Sequence, residues 1–205
     1  MRISAAVASV AVATALVVAV GGCDNRSTSS TPKSGSATSA PDSRGPAPSS
    51  PAPGRPGEYA ALLIKATDIN APVTFTAGPA TDNPNGQPGI ARTFRAEDTN
   101  HQIEDTIQVF ADPAAATNAL NAAKCAQGDV VKKPTSRPAN IGTGWTTLSG
   151  DSPDGLKGVT VLLFTEGRAL VTLQFDGPPG SLVPQDFMTD VGRKQDAAVK
   201  KGLDG

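Results

Sequence analysis

The chain has 205 residues and a formal net charge of −1, and all eight of its aromatic residues lie after position 58. The segment from Glu58 to Gly205 is long enough for one domain that buries about 70% of its unfolded surface. It carries 13 basic and 17 acidic residues and no basic run longer than two, which excludes the basic patch of a nucleic-acid-binding protein.

The first 22 residues have the parts of an export signal. Arg2 is followed by a run of small and aliphatic residues from Ile3 to Val20, and two glycines then precede Cys23. A charged start, an apolar stretch and small residues before a cleavage site are typical of secretory signal peptides. Two alternatives stay open, an uncleaved anchor of about 20 residues and an ordinary secreted protein cut near the same place.

The end of this signal, Val20-Gly21-Gly22-Cys23, resembles the lipobox of bacterial lipoproteins. The resemblance implies that residues 1–22 are removed, that the Cys23 thiol receives a diacylglycerol and that its amine can also be acylated. Each buried CH₂ group contributes about 0.8 kcal/mol, so two chains exceed the threshold for stable attachment. We therefore expect membrane lipid to hold the protein, through Cys23, on the outer face of the cytoplasmic membrane.

Residues 23–57 are predicted to be the lipidated cysteine and a disordered tether. Of the 34 residues from Asp24 to Gly57, 23 are Ser, Thr, Pro or Gly, and none is aromatic or a large aliphatic residue. Such a segment cannot bury enough apolar surface to offset its ordering entropy. Its Ser, Thr and Pro content is also typical of an O-glycosylated stalk.

The first half of the predicted domain, which spans residues 58–205, contains one short helix and three strands. Alternating apolar residues and turn signals mark the strands, and Asp82-Asn83-Pro84-Asn85-Gly86 is a strong turn signal between the first two. The predicted elements are a helix over 58–64 and strands over 73–77, 90–95 and 103–110.

The second half contains two helices and three strands. Asp112 and Pro113 have the character of an N-cap and a first-turn proline, and they begin an alanine-rich helix to about Gln127 with Ala116 and Leu120 on its inward face. Residues 134–144 are predicted as a connection. Strands follow over 145–148, 159–164 and 169–175, the last two as a hairpin with Gly167 in its turn, and a helix closes the chain over 184–201.

This order of elements predicts an α+β domain, an antiparallel sheet of about five to six strands flanked by helices. The strand over 159–164 is apolar on both faces, as expected of a central strand covered on both sides. Pro134 to Gly144 lacks the alternation of a strand and is therefore left outside the sheet.

Four features of the chain resemble envelope lipoproteins of high-GC Gram-positive bacteria. They are the tether after a lipobox, the start of the domain at Leu62-Leu63-Ile64-Lys65-Ala66-Thr67-Asp68-Ile69, the strand-to-helix step at Phe110-Ala111-Asp112-Pro113, and the final hairpin and helix. The domain is similar in this respect to LpqN-type lipoproteins, with their PsbP/Mog1-like fold, and to PknH-like extracellular sensor domains. Both resemblances imply an antiparallel sheet with helices and a binding cleft. The partner cysteines that the sensor family uses for disulfides are absent here.

Ionisable groups concentrate between Glu97 and Asp105, where His101 stands among four carboxylates. A histidine steered by an acid can act as a general base, but the Thr99-Asn100 pair favours a solvated turn between two strands. A zinc site needs three or four ligands, mostly N or S, and the chain offers one histidine and one cysteine besides Cys23. We expect no catalytic residue, no metal site and no cofactor.

Two further residues are candidates for a specific role. Trp145 can line a cleft, although a tryptophan in a predicted strand is more often part of the core. Cys125 lies off the inward face of its predicted helix. As the one cysteine that remains once Cys23 is acylated, it is expected to be a small buried residue, with a surface thiol and an intermolecular bridge as alternatives.

The sequence therefore favours a non-catalytic binding or sensing module of the cell envelope, anchored to the membrane by lipid. A carrier that holds lipid or glycolipid in an apolar cavity ranks second, because eight aromatic residues leave few to line such a cavity beyond the core. A hydrolase or transferase that uses His101 with a carboxylate ranks third. The nature of the envelope ligand or protein partner does not follow from the residues.

Overall fold

The structure, a computed structural model, describes residues 54–137 and 139–204. Val20, Gly21, Gly22 and Cys23, on which the predicted lipid anchor depends, lie outside the described residues, as does the predicted tether up to residue 53. Among the described residues, no helix combines the length and the apolar character needed to cross a bilayer.

Seven strands form one antiparallel sheet in the order β1-β2-β3-β7-β6-β5-β4. Tight connections join β1 to β2, β2 to β3, β5 to β6 and β6 to β7, and these neighbours in sequence are neighbours in the sheet. The strands are β1 (Phe75–Asp82), β2 (Gly89–Ala96), β3 (Gln102–Val109), β4 (Lys132–Arg137), β5 (Thr143–Asp151), β6 (Gly158–Glu166) and β7 (Ala169–Gly177).

Helix α1 (Pro113–Ala126) packs on one face of the sheet, over β5, β6 and β7. Its first turn is fixed by the Asp112 side chain, which accepts a hydrogen bond of 2.8 Å from the Ala115 N–H, as an N-cap residue does. Leu120 packs with Val161 and Leu163 of β6 in the smaller of two apolar clusters.

Helix α2 (Gln185–Leu203) packs on the opposite face, where the larger apolar cluster lies. Gly192 permits this close packing, since a Cβ atom there would lie 2.7 Å from both Ile141 Cδ1 and Leu162 Cδ2. Two single-turn 3₁₀ helices, Ala60–Leu62 and Ala66–Asp68, lead into β1. The first packs against α2, and the second accepts a hydrogen bond from Lys194 of α2 at the Asp68 carbonyl oxygen.

The two helices cover the sheet unequally. Every residue of β6 from Gly158 to Thr165 is buried, because β6 lies between both helices. On β3 the residues alternate between a buried face and a more exposed one that includes Glu104, since α1 does not extend over β1, β2 and β3.

The predicted fold class is confirmed: the domain is α+β, with an antiparallel sheet flanked by helices. The β6–β7 hairpin, the two long helices and the burial of β6 on both faces are also confirmed. Ala116 and Leu120 are buried on the inward face of α1, as predicted.

Four expectations were wrong in detail. The sheet has seven strands, because Lys132–Arg137, placed mostly in a connection, forms the edge strand β4. Strand β1 continues to Asp82, past the position where the sequence prediction ended it. The first helix is a single 3₁₀ turn. Cys125, expected to be buried, is exposed, because it lies near the solvent side of α1.

Candidate functional site

A pocket of about 370 Å³ opens at one end of the sheet, beneath the first turn of α2. We call it the phenylalanine pocket. We call the buried or partly buried rings of Phe75, Phe175 and Phe187 its floor, and residues 70–73 and 181–184 its walls. We call the side of the more exposed Asp98 and His101 its mouth. The volume falls within the range of about 300–1,000 Å³ that is usual for small-molecule sites.

The floor brings together aromatic rings from three distant parts of the chain. Phe187 lies 6.4 Å from Phe75 in a stacked arrangement and 6.1 Å from Phe175 in an edge-to-face arrangement, measured between ring centroids. Phe175 of β7 pairs in register with Ile103 of β3, which also lines the pocket. These contacts order the rings, because aromatic pairs favour offset-stacked and edge-to-face geometry.

The walls contain one proline each, Pro72 and Pro184. Proline fixes its own φ angle, so the two loops lose less conformational entropy when a ligand binds between them. Leu182 in the second wall is 46% exposed, although large aliphatic side chains are usually buried. The pocket is therefore apolar and open to solvent.

The polar groups at the mouth are organised by the turn between β2 and β3. Asp98 Oδ1 accepts hydrogen bonds from the backbone N–H groups of Asn100 and His101, and Asp98 Oδ2 lies 2.7 Å from His101 Nδ1. The hydrogen bond from His101 lowers the pKa of the Asp98 carboxyl group. The predicted turn is thus present, and it also pairs the single histidine with a carboxylate.

The pairing fixes the role of the other ring nitrogen. When Nδ1–H donates to Asp98, the neutral imidazole has Nε2 as a hydrogen-bond acceptor. Among the described residues, Nε2 has no hydrogen-bond partner. The Cδ2–Nε2 edge of the ring lies beside Gly177, where a Cβ atom would come within 3.4 Å of Cδ2. The His101 side chain is 44% exposed, so a ligand at the mouth can reach Nε2.

No Lys or Arg side chain lines this pocket in the described part of the chain. Lys157 lies nearby, but its Nζ is 2.8 Å from Asp176 Oδ2, and Gln174 Nε2 donates to the other oxygen of the same carboxylate. No group of three His, Cys, Asp or Glu side chains within 54–137 and 139–204 could hold a metal ion.

The structure separates the other sequence candidates from this site. Trp145 of β5 is partly buried against the larger apolar cluster and does not line the phenylalanine pocket. Cys125 lies on α1, which packs on the opposite face of the sheet. The sequence patterns do not single out the three floor phenylalanines, since periodicity alone does not show which buried rings face a pocket.

A second unusual group lies deeper in the same half of the sheet. Asp105 is fully buried on β3, two residues from Ile103, and its two carboxyl oxygens have no hydrogen-bond partner among the described residues. Burial raises the pKa of Asp105 well above 3.8, and the charge of Arg92 on β2 lowers it in part. This carboxyl group is outside the lining of the pocket.

No protein-family model matches the sequence, and no curated protein matches it either. Among solved structures, the chain is similar to the extracellular domain of PknH from Mycobacterium tuberculosis, at 12% identity and a TM-score of 0.48. The similarity covers 75% of this chain and 98% of that chain. It assigns no activity, ligand or location to the protein.

Proposed function

We propose that the protein is a lipid-anchored, extracytoplasmic binding protein whose domain holds an apolar ligand in the phenylalanine pocket. The observation that carries the proposal is the pocket itself, about 370 Å³ with Phe75, Phe175 and Phe187 as its floor. Pre-formed apolar pockets with a few polar groups at one end are typical of small-molecule sites. The carrier hypothesis, ranked second from the sequence, thereby gains the cavity that it requires.

The location is proposed from the sequence. The lipobox-like Val20-Gly21-Gly22-Cys23 follows an apolar signal, and a diacylglycerol on Cys23 would hold the mature chain stably on the membrane. Replacing Cys23 with Ala tests this part. We expect the variant to move from the detergent phase to the aqueous phase in Triton X-114 partition; a variant that stays in the detergent phase contradicts lipid anchoring.

Pocket binding is tested with a substitution that fills the cavity. Ala71 lies in the first wall, and a tryptophan at this position would occupy part of the space that a ligand needs. We expect Ala71→Trp to abolish the fluorescence gain of an apolar naphthalene dye and to remove small molecules that co-purify in native mass spectrometry. Ala114→Trp, on the exposed side of α1, is the matched control and should behave as the parent.

An effect of equal size in Ala71→Trp and Ala114→Trp would contradict the pocket as the binding site. So would a parent protein that neither enhances the dye nor carries any small molecule from its native envelope. Circular dichroism of both variants at the working temperature shows whether each is folded, so loss of binding can be distinguished from loss of structure.

The His101–Asp98 pair is assigned to binding in this proposal. A hydrolase would need a nucleophile in contact with Nε2, and among the described residues no hydroxyl or thiol hydrogen-bonds with this atom. Ser181 does line the same pocket, so ester hydrolysis is a direct test. We expect no turnover of medium-chain nitrophenyl esters above the level of a His101→Ala variant; turnover that depends on His101 would replace the binding role with a catalytic one.

A further inference from the structure

We infer that the phenylalanine pocket selects an amphiphile with one apolar chain and an uncharged, hydroxyl-bearing head, such as a monoacylglycerol or an alkyl glycoside. This inference rests on the proposed function, that the pocket binds an apolar ligand, and adds the class of ligand. It follows from the size of the pocket and from the charges at its mouth.

The volume of the pocket fits one alkyl chain of a ligand. A water-sized group occupies roughly 30 Å³, and a methylene group is of similar size, so about 370 Å³ holds about a dozen such groups. That volume is filled by one medium-length alkyl chain and is too small for the two chains of a membrane phospholipid. The floor of three phenylalanine rings provides the apolar surface that such a chain would cover.

The mouth disfavours an anionic head. The lowered pKa of Asp98 keeps its carboxylate charged at neutral pH, so a phosphate or carboxylate placed there would face a like charge. No Lys or Arg side chain among the described residues lines the pocket, and the ammonium group of Lys157 is already paired with Asp176. An anionic head would lose its hydration here without gaining a positively charged partner. An uncompensated charge of this kind is one way in which a site discriminates against a competing ligand.

The mouth also offers little to a cationic head. Both oxygens of Asp98 already accept hydrogen bonds, one from two backbone N–H groups and the other from His101 Nδ1. Asp176, the other carboxylate in the lining, is paired with Lys157 at 2.8 Å. Recognition of a quaternary ammonium group usually needs aromatic faces around the charge, and here the phenylalanine rings lie on the floor, with His101 as the ring at the mouth. The charge of Asp98 therefore serves mainly to orient His101.

The remaining chemistry suits a hydroxyl group. In the neutral imidazole whose Nδ1–H donates to Asp98, Nε2 is an acceptor, and a sugar or glycerol hydroxyl is a donor of the right kind. Asn70 and Gln102 also line the pocket, and their amide groups can both donate to and accept from further hydroxyl groups. An uncharged polyol head is thus the class that satisfies these groups without leaving a buried charge.

The test uses the full mature chain with Cys23→Ala and three probes with the same dodecyl chain: dodecyl maltoside, dodecyl phosphate and dodecyltrimethylammonium. Their affinities are measured below the micellar range by displacement of the naphthalene dye. We expect the maltoside to bind at least about tenfold more tightly than either charged probe, because a charged head forfeits its hydration at this mouth without a compensating partner.

Two variants at one position test the role of Nε2. His101→Leu should weaken the maltoside about three- to tenfold relative to the dye, as loss of one neutral hydrogen bond does. His101→Gln retains an acceptor oxygen and should recover part of the lost affinity. Because the dye reports the intact pocket, it separates loss of head recognition from loss of the fold.

The outcomes distinguish the two proposals. Equal affinity for the three probes, a preference for either charged probe, or no effect of His101→Leu on the maltoside would overturn the head-group inference while leaving an apolar binding pocket. Absence of binding for all three probes and for the dye would overturn the pocket function itself.

Discussion

Asp105 combines full burial with the lack of any hydrogen-bond partner for its carboxyl oxygens in the described part of the chain. It lies directly opposite Arg92 on β2 and Leu173 on β7. A charged carboxylate is costly in such surroundings, and desolvation accordingly raises its pKa. The pKa of Asp105 is therefore higher in the folded state than in the unfolded state. Its contribution to the free energy of unfolding is fully present at low pH and is lost as the pH rises through the folded-state pKa.

Asp105→Asn should remove this pH dependence. Asn has nearly the same shape and does not ionise, so the variant should match the parent at about pH 4 and become more stable than it at about pH 8, by on the order of 1–3 kcal/mol. Urea unfolding at several pH values measures the difference. Glu104→Gln removes a carboxylate from the exposed face of the same strand, and an equal effect in the two variants would contradict the argument.

At the scale of single residues, the sequence indicated which groups were unusual but not where they point. Its only histidine, in a cluster of carboxylates, was identified and interpreted as part of a solvated turn, and the turn is present. That His101 also borders an apolar pocket depends on Phe75, Phe175 and Phe187, which come together only when β1, β7 and α2 have packed. Contacts between residues that are far apart in the sequence produce no local periodicity, so sequence patterns do not predict them.

At the scale of elements, sequence patterns predicted the inner parts of the sheet better than its edges. The strands β2, β3, β6 and β7 have one or two buried faces, and burial imposes the apolar pattern that predicts a strand. Strand β4 is exposed along its whole length and contains Pro134, and β1 contains Gly78-Pro79 and a register shift. Edge strands need no apolar face, and such residues keep them from pairing with other chains.

The β2–β3 pair depends on a glycine at its first position. Gly89 has φ of +148°, and a Cβ atom there would lie 2.0 Å from the backbone oxygen of Ile107 on β3. Since backbone atoms in the middle of a sheet cannot move aside cheaply, Gly89→Ala should lower the free energy of unfolding by more than about 2 kcal/mol.

Thermal or urea unfolding measures this loss, and Gly128→Ala is the matched control. At position 128 a Cβ atom would meet nothing within 4 Å and φ is not in the left-handed region, so its effect should stay within about 0.5 kcal/mol. If the two alanine variants are equally stable, close approach of β3 is not the reason for a glycine at position 89.

Helix α2 is joined to the segment before β1 by one buried side chain. Gln195 accepts a hydrogen bond from the Ile64 N–H at 3.2 Å and donates to the Leu62 carbonyl oxygen at 2.7 Å, and it is fully buried. Among the described residues these two backbone groups have no other hydrogen-bond partner. The amide thus replaces backbone pairing between a helix and an irregular segment.

Gln195→Leu keeps the volume of the side chain and removes both hydrogen bonds. Each buried group left unpaired costs about 1–3 kcal/mol, so we expect a loss of about 2 kcal/mol or more in urea unfolding, partly offset by the apolar side chain. Lys201→Leu, an apolar substitution at an exposed position of the same helix, controls for the added leucine. A Gln195→Leu variant as stable as the parent would show that this link is dispensable.

At the scale of the whole molecule, the phenylalanine pocket and the start of the described chain lie at opposite ends of the sheet. Gly54 exchanges two hydrogen bonds of 2.9 Å with Asn83, in the turn between β1 and β2. The pocket mouth is at the turn between β2 and β3, so β2 separates them. Its eight residues correspond to about 27 Å.

Two exposed leucines lie at the pocket end of the sheet. Leu156 and Leu182 are the two large apolar side chains exposed among the described residues. They belong to the loops after β5 and β7, and the Gly158 N–H at the start of β6 donates a 3.2 Å hydrogen bond to the Pro178 carbonyl oxygen of the second loop. If the ligand enters from the membrane, the pocket end of the domain must reach the bilayer. The segment that precedes Gly54, however, joins the domain at the opposite end of the sheet.

Under the proposed lipid anchoring, the 30 residues between Cys23 and Gly54 would then limit ligand loading. A random coil of this length, which their composition predicts, would have a root-mean-square span of about 30 Å, which suffices to turn the domain over. Deleting residues 27–50 leaves a span of about 15 Å and at most about 25 Å when extended, less than the length of β2. We expect the anchored deletion variant to carry several-fold less ligand in native mass spectrometry than the parent.

The same deletion combined with Cys23→Ala should bind dodecyl maltoside as the parent does in solution, because the phenylalanine pocket is unchanged. A Gly/Ser repeat of equal length in place of residues 27–50 should restore loading, since it restores a comparable span without the original sequence. Normal loading of the short anchored variant would show that ligand reaches the pocket without contact between its mouth and the membrane. Failure of the Gly/Ser repeat would assign these residues a role other than reach.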